Sequence, residues 1–501
     1  MHYKSTRGEY FSVSAAETII KGIAPDGGLF VPEHIPRVDP AGWAQMREAS
    51  YQNIAEYIFR LYLGDFQPDE IKQSVWSAYN EQNFDHRDIA PLEEIEPGLF
   101  IQELWHGPTS AFKDMALQIL PLLLSLSIKK IGAKHEVIIL VATSGDTGKA
   151  ALEGFKDVAG TKIMVFYPRE GVSEVQKRQM ISQEGNNVFV VAVEGNFDDA
   201  QRGVKEIFAD KAINQVLTDH NMVLSSANSI NWGRLMPQIV YYFTAYLDLR
   251  KKGALVEGER FNVVVPTGNF GNILGAFYAR SMGVPINKLI CAANANNVIT
   301  DFIRCGDYDR NRELTKTISP SMDILVSSNL ERLLFEITGH DAAKVTAWMY
   351  DLEKKGRYTV DEEILKRIQA VFWSDFATDL EATAAIKEVW EKNHYLMDPH
   401  TAVAWQVYKK YRQQTGDHEK TVIISTASPY KFAGSVAAEI LAPEQISGQD
   451  EFKIINLLAR HTGMPVPEAI RTLSEKVIRH RTITAKDHMP ETILNLLQCQ
   501  N

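Results

Sequence analysis

The sequence predicts an α/β fold in which parallel strands lie between layers of helices. Three observations carry that expectation. Short, unbroken apolar runs rich in β-branched residues recur through the middle of the chain, as strands covered on both faces require. Helical patterns alternate with these runs, as parallel crossovers demand. The chain is also long, at 501 residues, and 45% apolar, so it can bury large cores without disulfides or structural metal.

Taken in order, residues 1–95 read as a mainly helical unit. A turn-rich piece from Ala24 to Pro32 punctuates it, and 43–64 and 68–83 place Leu, Ile and aromatic residues at i, i+3 and i+4. Residues 96–260 are expected as a first α/β unit. Its strands are 137–142, 162–167 (ended by Pro168) and 188–193, and its helices are 147–158 and 198–210. An apolar stretch at 115–128 carries one buried face, and Pro121 is expected to kink that helix or end it early. Residues 261–501 are expected as a second α/β unit. Its strands are 262–266, 289–293 and 420–426, and a helix spans 272–282. A charged, helical insertion at about 311–390 interrupts it, and a helical tail runs from 452 to the end.

Composition excludes several classes. Lys and Arg number 53 and Asp and Glu 63, a net charge of −10, which is the wrong sign for a nucleic-acid backbone binder. The longest basic run is Arg250-Lys251-Lys252. The three cysteines, Cys291, Cys305 and Cys499, form no CxxC, so neither a disulfide framework nor a zinc site is indicated, and a reducing, cytoplasmic compartment is expected. The polar N-terminus is no secretory signal, and no apolar stretch is long enough to span a bilayer.

Four loops could carry chemistry. His106-Gly-Pro-Thr-Ser110-Ala-Phe-Lys113 turns and then opens a helix, which places Lys113 in a first turn. The positive end of the helix dipole lowers the pKa of an amine there, and a neutral amine forms a Schiff base. The same residues are compatible with an ordinary solvated lysine. Thr143-Ser144-Gly-Asp146-Thr147-Gly-Lys follows a strand and offers hydroxyls and backbone N–H groups to an anion. It is not a nucleotide P-loop, because the first glycine is missing and Ala150 follows Lys149. Gly268-Asn269-Phe270-Gly271-Asn272 lets the backbone approach a phosphate closely, but it lacks the GxGxxG dinucleotide spacing. Ser425-Thr426-Ala-Ser-Pro-Tyr-Lys sits at the carboxyl end of a strand, where open sheets bind ligands. Two further segments offer Asn231 with Arg234, the latter able to grip an anion bidentately, and Asp398 with His400.

Together, HGPTSAFKDMALQ, VATSGDTGKAA, SSANSINWGRLMPQ, PTGNFGN, DPHTAVA and STASPYKF occur here in that order. They resemble the threonine synthase family, in the branch with a long N-terminal unit, within the tryptophan-synthase-β-like group. The resemblance covers nearly the whole chain. It implies two open, mainly parallel sheets with helices on both faces, the fold type II of pyridoxal-phosphate enzymes, plus the helical N-terminal unit and insertion. It further implies pyridoxal 5'-phosphate as cofactor and conversion of O-phospho-L-homoserine and water to L-threonine and phosphate. The expected partner is that small molecule, with no nucleic acid or membrane, in a monomer or homodimer.

Residue by residue, Lys113 matches the lysine bonded to the cofactor. Gly268, Asn269, Phe270, Gly271 and Asn272 match the loop holding its phosphate, and Thr426 matches the hydroxyl facing its pyridine nitrogen. Ser110, Thr143, Ser144, Asp146 and Thr147, with Asn231 and Arg234, are the substrate-side candidates. Ser428-Pro-Tyr430 departs from the His-Pro-Ala of many relatives, as does Asn272 from their Asp. Asp146 stands where relatives outside this branch often have Asn. Two other readings stay open: a serine or threonine dehydratase that shares Lys113, and a non-catalytic binder, which would not need the amine.

Overall fold

The computed structural model describes residues 1–143, 145–170 and 172–499. Its strands, in chain order, are β1 (Tyr3–Ser5), β2 (Phe30–Pro32), β3 (Leu92–Glu96), β4 (Leu99–Glu103), β5 (Glu136–Ala142), β6 (Thr161–Pro168), β7 (Val188–Glu194) and β8 (Met222–Ser225). Then come β9 (Phe261–Pro266), β10 (Ile286–Ala293), β11 (Asp307–Asp309), β12 (Arg357–Thr359), β13 (Phe372–Phe376), β14 (Thr421–Ser425) and β15 (Thr482–Ala485). Two sheets dominate. The larger has six strands in the order β13-β10-β9-β14-β4-β3, parallel except for the edge hairpin β3–β4. The smaller has five parallel strands in the order β15-β7-β6-β5-β8.

Alternation along each strand explains the unbroken apolar runs. Val137, Ile139 and Val141 of β5 enter one core, while Ile138 and Leu140 enter another on the opposite face. In the large sheet Val263 and Val265 face one core and Val264 the other. Both faces are therefore paid in apolar burial, the condition under which a strand need not alternate polar and apolar residues. Helix Pro237–Lys251, buried along most of its length, packs against helices Gly271–Met282 and Tyr51–Tyr62 and so joins the N-terminal unit to the large sheet.

The sheets do not divide at 95/96 and 260/261. The hairpin β3–β4 lies in the large sheet, with β4 pairing β14, so residues 96–103 belong with strands after 261. Strand β15, from the tail, completes the smaller sheet beside β7. The stretch 311–390 is likewise more than a helical insertion, since β13 is the edge strand beside β10. As expected, the apolar stretch does not run as one helix but breaks just ahead of Pro121. A short helix, Asp114–Leu117, stops first, and Pro121 lies in the first turn of the next, Leu120–Lys130. A missing N–H costs nothing there, because first-turn amides have no partner within the helix.

Candidate active site

Four loops at the carboxyl ends of parallel strands converge. They follow β4, β9 and β14 of the large sheet and β5 of the smaller one. The loops after β4 and β14 are stitched together. Phe112 N donates to Thr426 O at 2.8 Å, Ser428 N donates to Ser110 O at 3.0 Å, and Ala111 and Ala427 form an isolated antiparallel bridge. Lys113 is thereby fixed beside Thr426, at the entry to helix Asp114–Leu117.

The Lys113 side chain is only 11% exposed. Its pKa is lowered to about 8. Burial is the leading cause, with the cations Arg234 and Lys431 adding to it and the carboxylates Asp146 and Asp114 opposing. The depression expected from the sequence is present, and desolvation leads it. Its Nζ lies 3.8 Å from Asp146 Oδ2 and donates a long hydrogen bond, 3.4 Å, to Ser321 Oγ.

Asp146 opens helix Asp146–Phe155, after Gly145 at φ 147°. That backbone conformation favours glycine, and a Cβ there would also press on the Gln176 amide, 2.5 Å away. Gln176 Nε2 donates to Asp146 Oδ1 at 2.9 Å, and Lys431 Nζ meets the same oxygen at 2.6 Å. Ser321 Oγ donates to Oδ2 at 3.2 Å. Burial disfavours the charge on Asp146, but Lys431 and Lys113 outweigh it and hold the carboxyl well below its usual range.

The Gly268–Asn272 loop leads from β9 into helix Gly271–Met282, whose N-cap, Phe270, has φ 62°. Ser110, in the lysine loop, also has φ 57°. Non-glycine residues in this left-handed region cost on the order of 1–3 kcal/mol each and gather at functional sites. Loop carbonyls are held from outside: Ser327 Oγ donates to Gly268 O at 2.7 Å, and Asn329 Nδ2 to Asn269 O at 3.1 Å. Asn272 Oδ1 accepts from the Tyr241 and Tyr242 hydroxyls at 2.7 and 2.5 Å. Asn272 Nδ2 and Ser110 Oγ are buried polar atoms with no partner among the described residues.

The other expected residues fall into two sets. Arg234 is buried, and its guanidinium donates to the Ala227 carbonyl at 2.5 Å with no carboxylate paired to it among the described residues. Burial lowers its pKa to about 10. Asn231 is also buried, but its amide is engaged. Oδ1 caps Gly233 N at 2.9 Å, and Nδ2 donates to Ile19 O at 2.9 Å. Thr143 Oγ1 accepts from Gly145 N and Gly148 N at 3.0 and 2.9 Å, so it shapes the loop. Thr147 is half-buried on the following helix, and Ser144 lies outside the described residues.

Sequence reasoning missed Ser321, Lys431 and Arg332. Ser321 belongs to a single turn, Pro320–Met322, inside the stretch that shows no motif. Lys431 carried a signal, a lysine between Tyr430 and Phe432 in a run that is otherwise apolar. Arg332 is fully buried and donates to Phe30 O, Ile230 O and Asn329 Oδ1, tying the N-terminal unit to the phosphate-type loop. His400, singled out in DPHTAVA, accepts Ser321 N at 3.2 Å and pairs through Nδ1 with Asp398 at 2.6 Å.

The arrangement suits a pyridoxal phosphate. A lysine of lowered pKa and a glycine loop at a helix N-terminus, where backbone N–H groups favour a phosphate, both abut the Ser321 turn. A Cβ on Gly268 would lie 2.8 Å from the Ser321 carbonyl, so the loop admits close approach only as glycine. The Asn272 amide in this loop and the Ser110 hydroxyl in the lysine loop are buried donors without a partner among the described residues.

Comparison with known proteins gives the same picture. The family profile "Threonine synthase N terminus" matches residues 2–79, and "Pyridoxal-phosphate dependent enzyme" matches residues 87–350. The threonine synthase of Pseudomonas aeruginosa is 38% identical over 437 residues, covering 87% of this chain and 90% of that protein. Threonine synthase-like 1 of Homo sapiens is 38% identical over 497 residues, and the match covers 96% of this chain but 66% of the human protein's length. The crystal structure of threonine synthase from Brucella melitensis, with pyridoxal phosphate bound, has a TM-score of 0.87 at 35% identity and covers 99% of both chains.

Proposed function

The chain belongs to the threonine synthase family of pyridoxal-phosphate-dependent enzymes, and from that premise we propose that it converts O-phospho-L-homoserine and water to L-threonine and phosphate. The observation that carries the reading is the placement of Lys113, buried, with a pKa of about 8, where loops from both sheets meet. When bound, the cofactor supplies the electron sink that makes the substrate's carbon-bound protons acidic.

The chain's own residues divide the remaining work. Lys113 holds the cofactor and, neutral in part near pH 8, takes and returns protons at the substrate carbons. The Gly268–Asn272 loop would hold the cofactor phosphate, and the Thr426 hydroxyl would be the neutral partner for its ring nitrogen. Arg234, a buried guanidinium with no carboxylate paired to it among the described residues, receives a substrate anion. Ser110 and the Asp146 loop complete that side, while Asn231 and Thr143 hold the loops in shape. Expelling phosphate from Cγ and adding water at Cβ then balances the reaction.

No helix among the described residues is long and apolar enough to cross a membrane. The reducing, cytoplasmic compartment expected from the cysteine usage is part of this proposal.

The test is phosphate release from O-phospho-L-homoserine with threonine identified as co-product. Equal amounts of both are expected, and Lys113→Ala should lose turnover and covalent cofactor together. Phosphate accompanied by a keto acid in place of threonine would overturn the reading in favour of a dehydratase-like enzyme.

A further inference from the structure

Lys431 is completely buried, with a side-chain exposure of 0%. Its Nζ reaches two of the converging loops at once. It meets Asp146 Oδ1 at 2.6 Å and donates to the Thr109 carbonyl at 2.9 Å. Thr109 in turn binds Asp114 through its N–H and its hydroxyl, at 2.8 and 2.7 Å, one residue beyond Lys113. The two oxygens of Asp146 are divided: Oδ1 takes Lys431 and Gln176, while Oδ2 faces Ser321 and Lys113. Buried ion pairs are weak sources of stability, so stability alone does not account for a lysine here.

A carboxylate 3.8 Å from an amine in a dry site favours the ammonium form. That form cannot bond covalently to an aldehyde. The groups facing Lys113 are Asp146 from its helix, Lys431 from the turn Pro429–Phe432, Arg234 from helix Trp232–Leu235, and Asp114 from its own helix. His400 reaches it only through Ser321. Of the two cations, Lys431 is the one in contact with Asp146.

We propose that Lys431 is a positioning residue: its ammonium fixes Asp146 between the lysine loop and the smaller sheet and cancels that carboxylate's charge at Lys113 Nζ, so the amine remains available as a free base. The proposal rests on the reading that Lys113 holds the cofactor. The Asp146–Lys431 pair then offers Lys113 what a neutral amide would, a fixed polar group without net charge.

The test follows capture of pyridoxal 5'-phosphate by the cofactor-free protein between pH 6 and 10, read as the absorbance of the lysine-bound cofactor and mapped by borohydride trapping. Lys431→Met should move the midpoint of capture upward by about one pH unit or more. Asp146→Asn should move it downward, because Lys431 is then unbalanced. The double variant should return close to the parent midpoint. An unchanged midpoint in a folded Lys431→Met protein overturns the proposal. If that variant does not fold, the comparison rests on Asp146→Asn with and without Lys431→Met. Coincident midpoints in those two proteins also overturn it. Trapping at a residue other than 113 refutes the underlying reading instead, so the two failures are distinct.

Discussion

The backbone N–H of Ser321 donates to His400 Nε2 at 3.2 Å, and this bond ties the turn above Lys113 to the helix that Asp398 caps. The other ring nitrogen is committed to Asp398 at 2.6 Å, so the imidazole serves as an acceptor. His400→Leu removes that acceptor, while Asp398 keeps Thr401 and the backbone N–H of residue 400. Turnover should fall by roughly tenfold, the worth of one ordinary hydrogen bond. The pH midpoint of cofactor capture should stay where it is. Steady-state kinetics beside the capture titration would separate the two, and a shifted midpoint would mean that His400 acts on Lys113 directly.

Gly268→Ala tests the close approach between the phosphate-type loop and the Ser321 turn. The new methyl would lie 2.8 Å from a backbone carbonyl, which cannot swing aside as a side chain can. The loop or the turn must shift, and the cofactor affinity should drop at least about tenfold. Equilibrium dialysis of pyridoxal 5'-phosphate measures it. Unaltered affinity would show that the turn yields freely.

Arg234 is the only residue of the substrate-side set with a permanent positive charge. Arg234→Met should lower kcat/KM for O-phospho-L-homoserine by on the order of a hundredfold, with the cofactor still bound. Arg234→Lys should recover little, because a point charge does not reproduce a planar fork. Full rescue by lysine would instead indicate a purely electrostatic role.

His106 gives a pH dependence of stability. Burial opposes its charge, but the hydrogen bonds that its ring donates to Asp85 and Glu103, at 2.6 and 2.8 Å, outweigh it and raise the pKa to about 9. A raised pKa means that the contribution is fully present below pH 6.5 and is lost as pH rises through 9. Its size is at most about 3 kcal/mol, since water reaches Asp85. Urea unfolding at pH 6.5 and 9.5 should show this loss, and His106→Gln should flatten it. An identical slope in the variant would assign the loss to other groups.

Much of the site was legible because its chemistry is carried by short, contiguous loops. Lys113, the Gly268–Asn272 loop and Thr426 each sit within a strand–loop–helix segment, and although each segment alone also fits an ordinary turn, the six motifs in order pointed to a site. The parallel strands were legible for a similar reason, since burial on both faces leaves an unbroken apolar run. Short edge strands were not. Strand β8 has four residues, and β15 has four with two of them exposed, too few to show a period. Ser321 was invisible because one serine in a single turn has no pattern at all. Asn231 and Thr143 show the opposite limit. Their residue types fit substrate binding, and the coordinates add capping and loop bonds made by the same side chains, which no sequence pattern announces.

The route of the chain through the large sheet has a consequence for how the protein is made. Strand β4 pairs with β14, and Trp105 reaches Ser425, 320 positions later, to donate its indole N–H. A nascent chain therefore emerges with the β3–β4 hairpin complete but one edge of β4 unpaired until β14, some 320 residues on, has been synthesised. Contacts this distant are slow to close, and an unpaired apolar edge invites intermolecular pairing meanwhile. The smaller sheet can draw β5 to β8 together long before that. On the ribosome, the lysine loop must wait, tethered to a half-built sheet, for the strand that locks it.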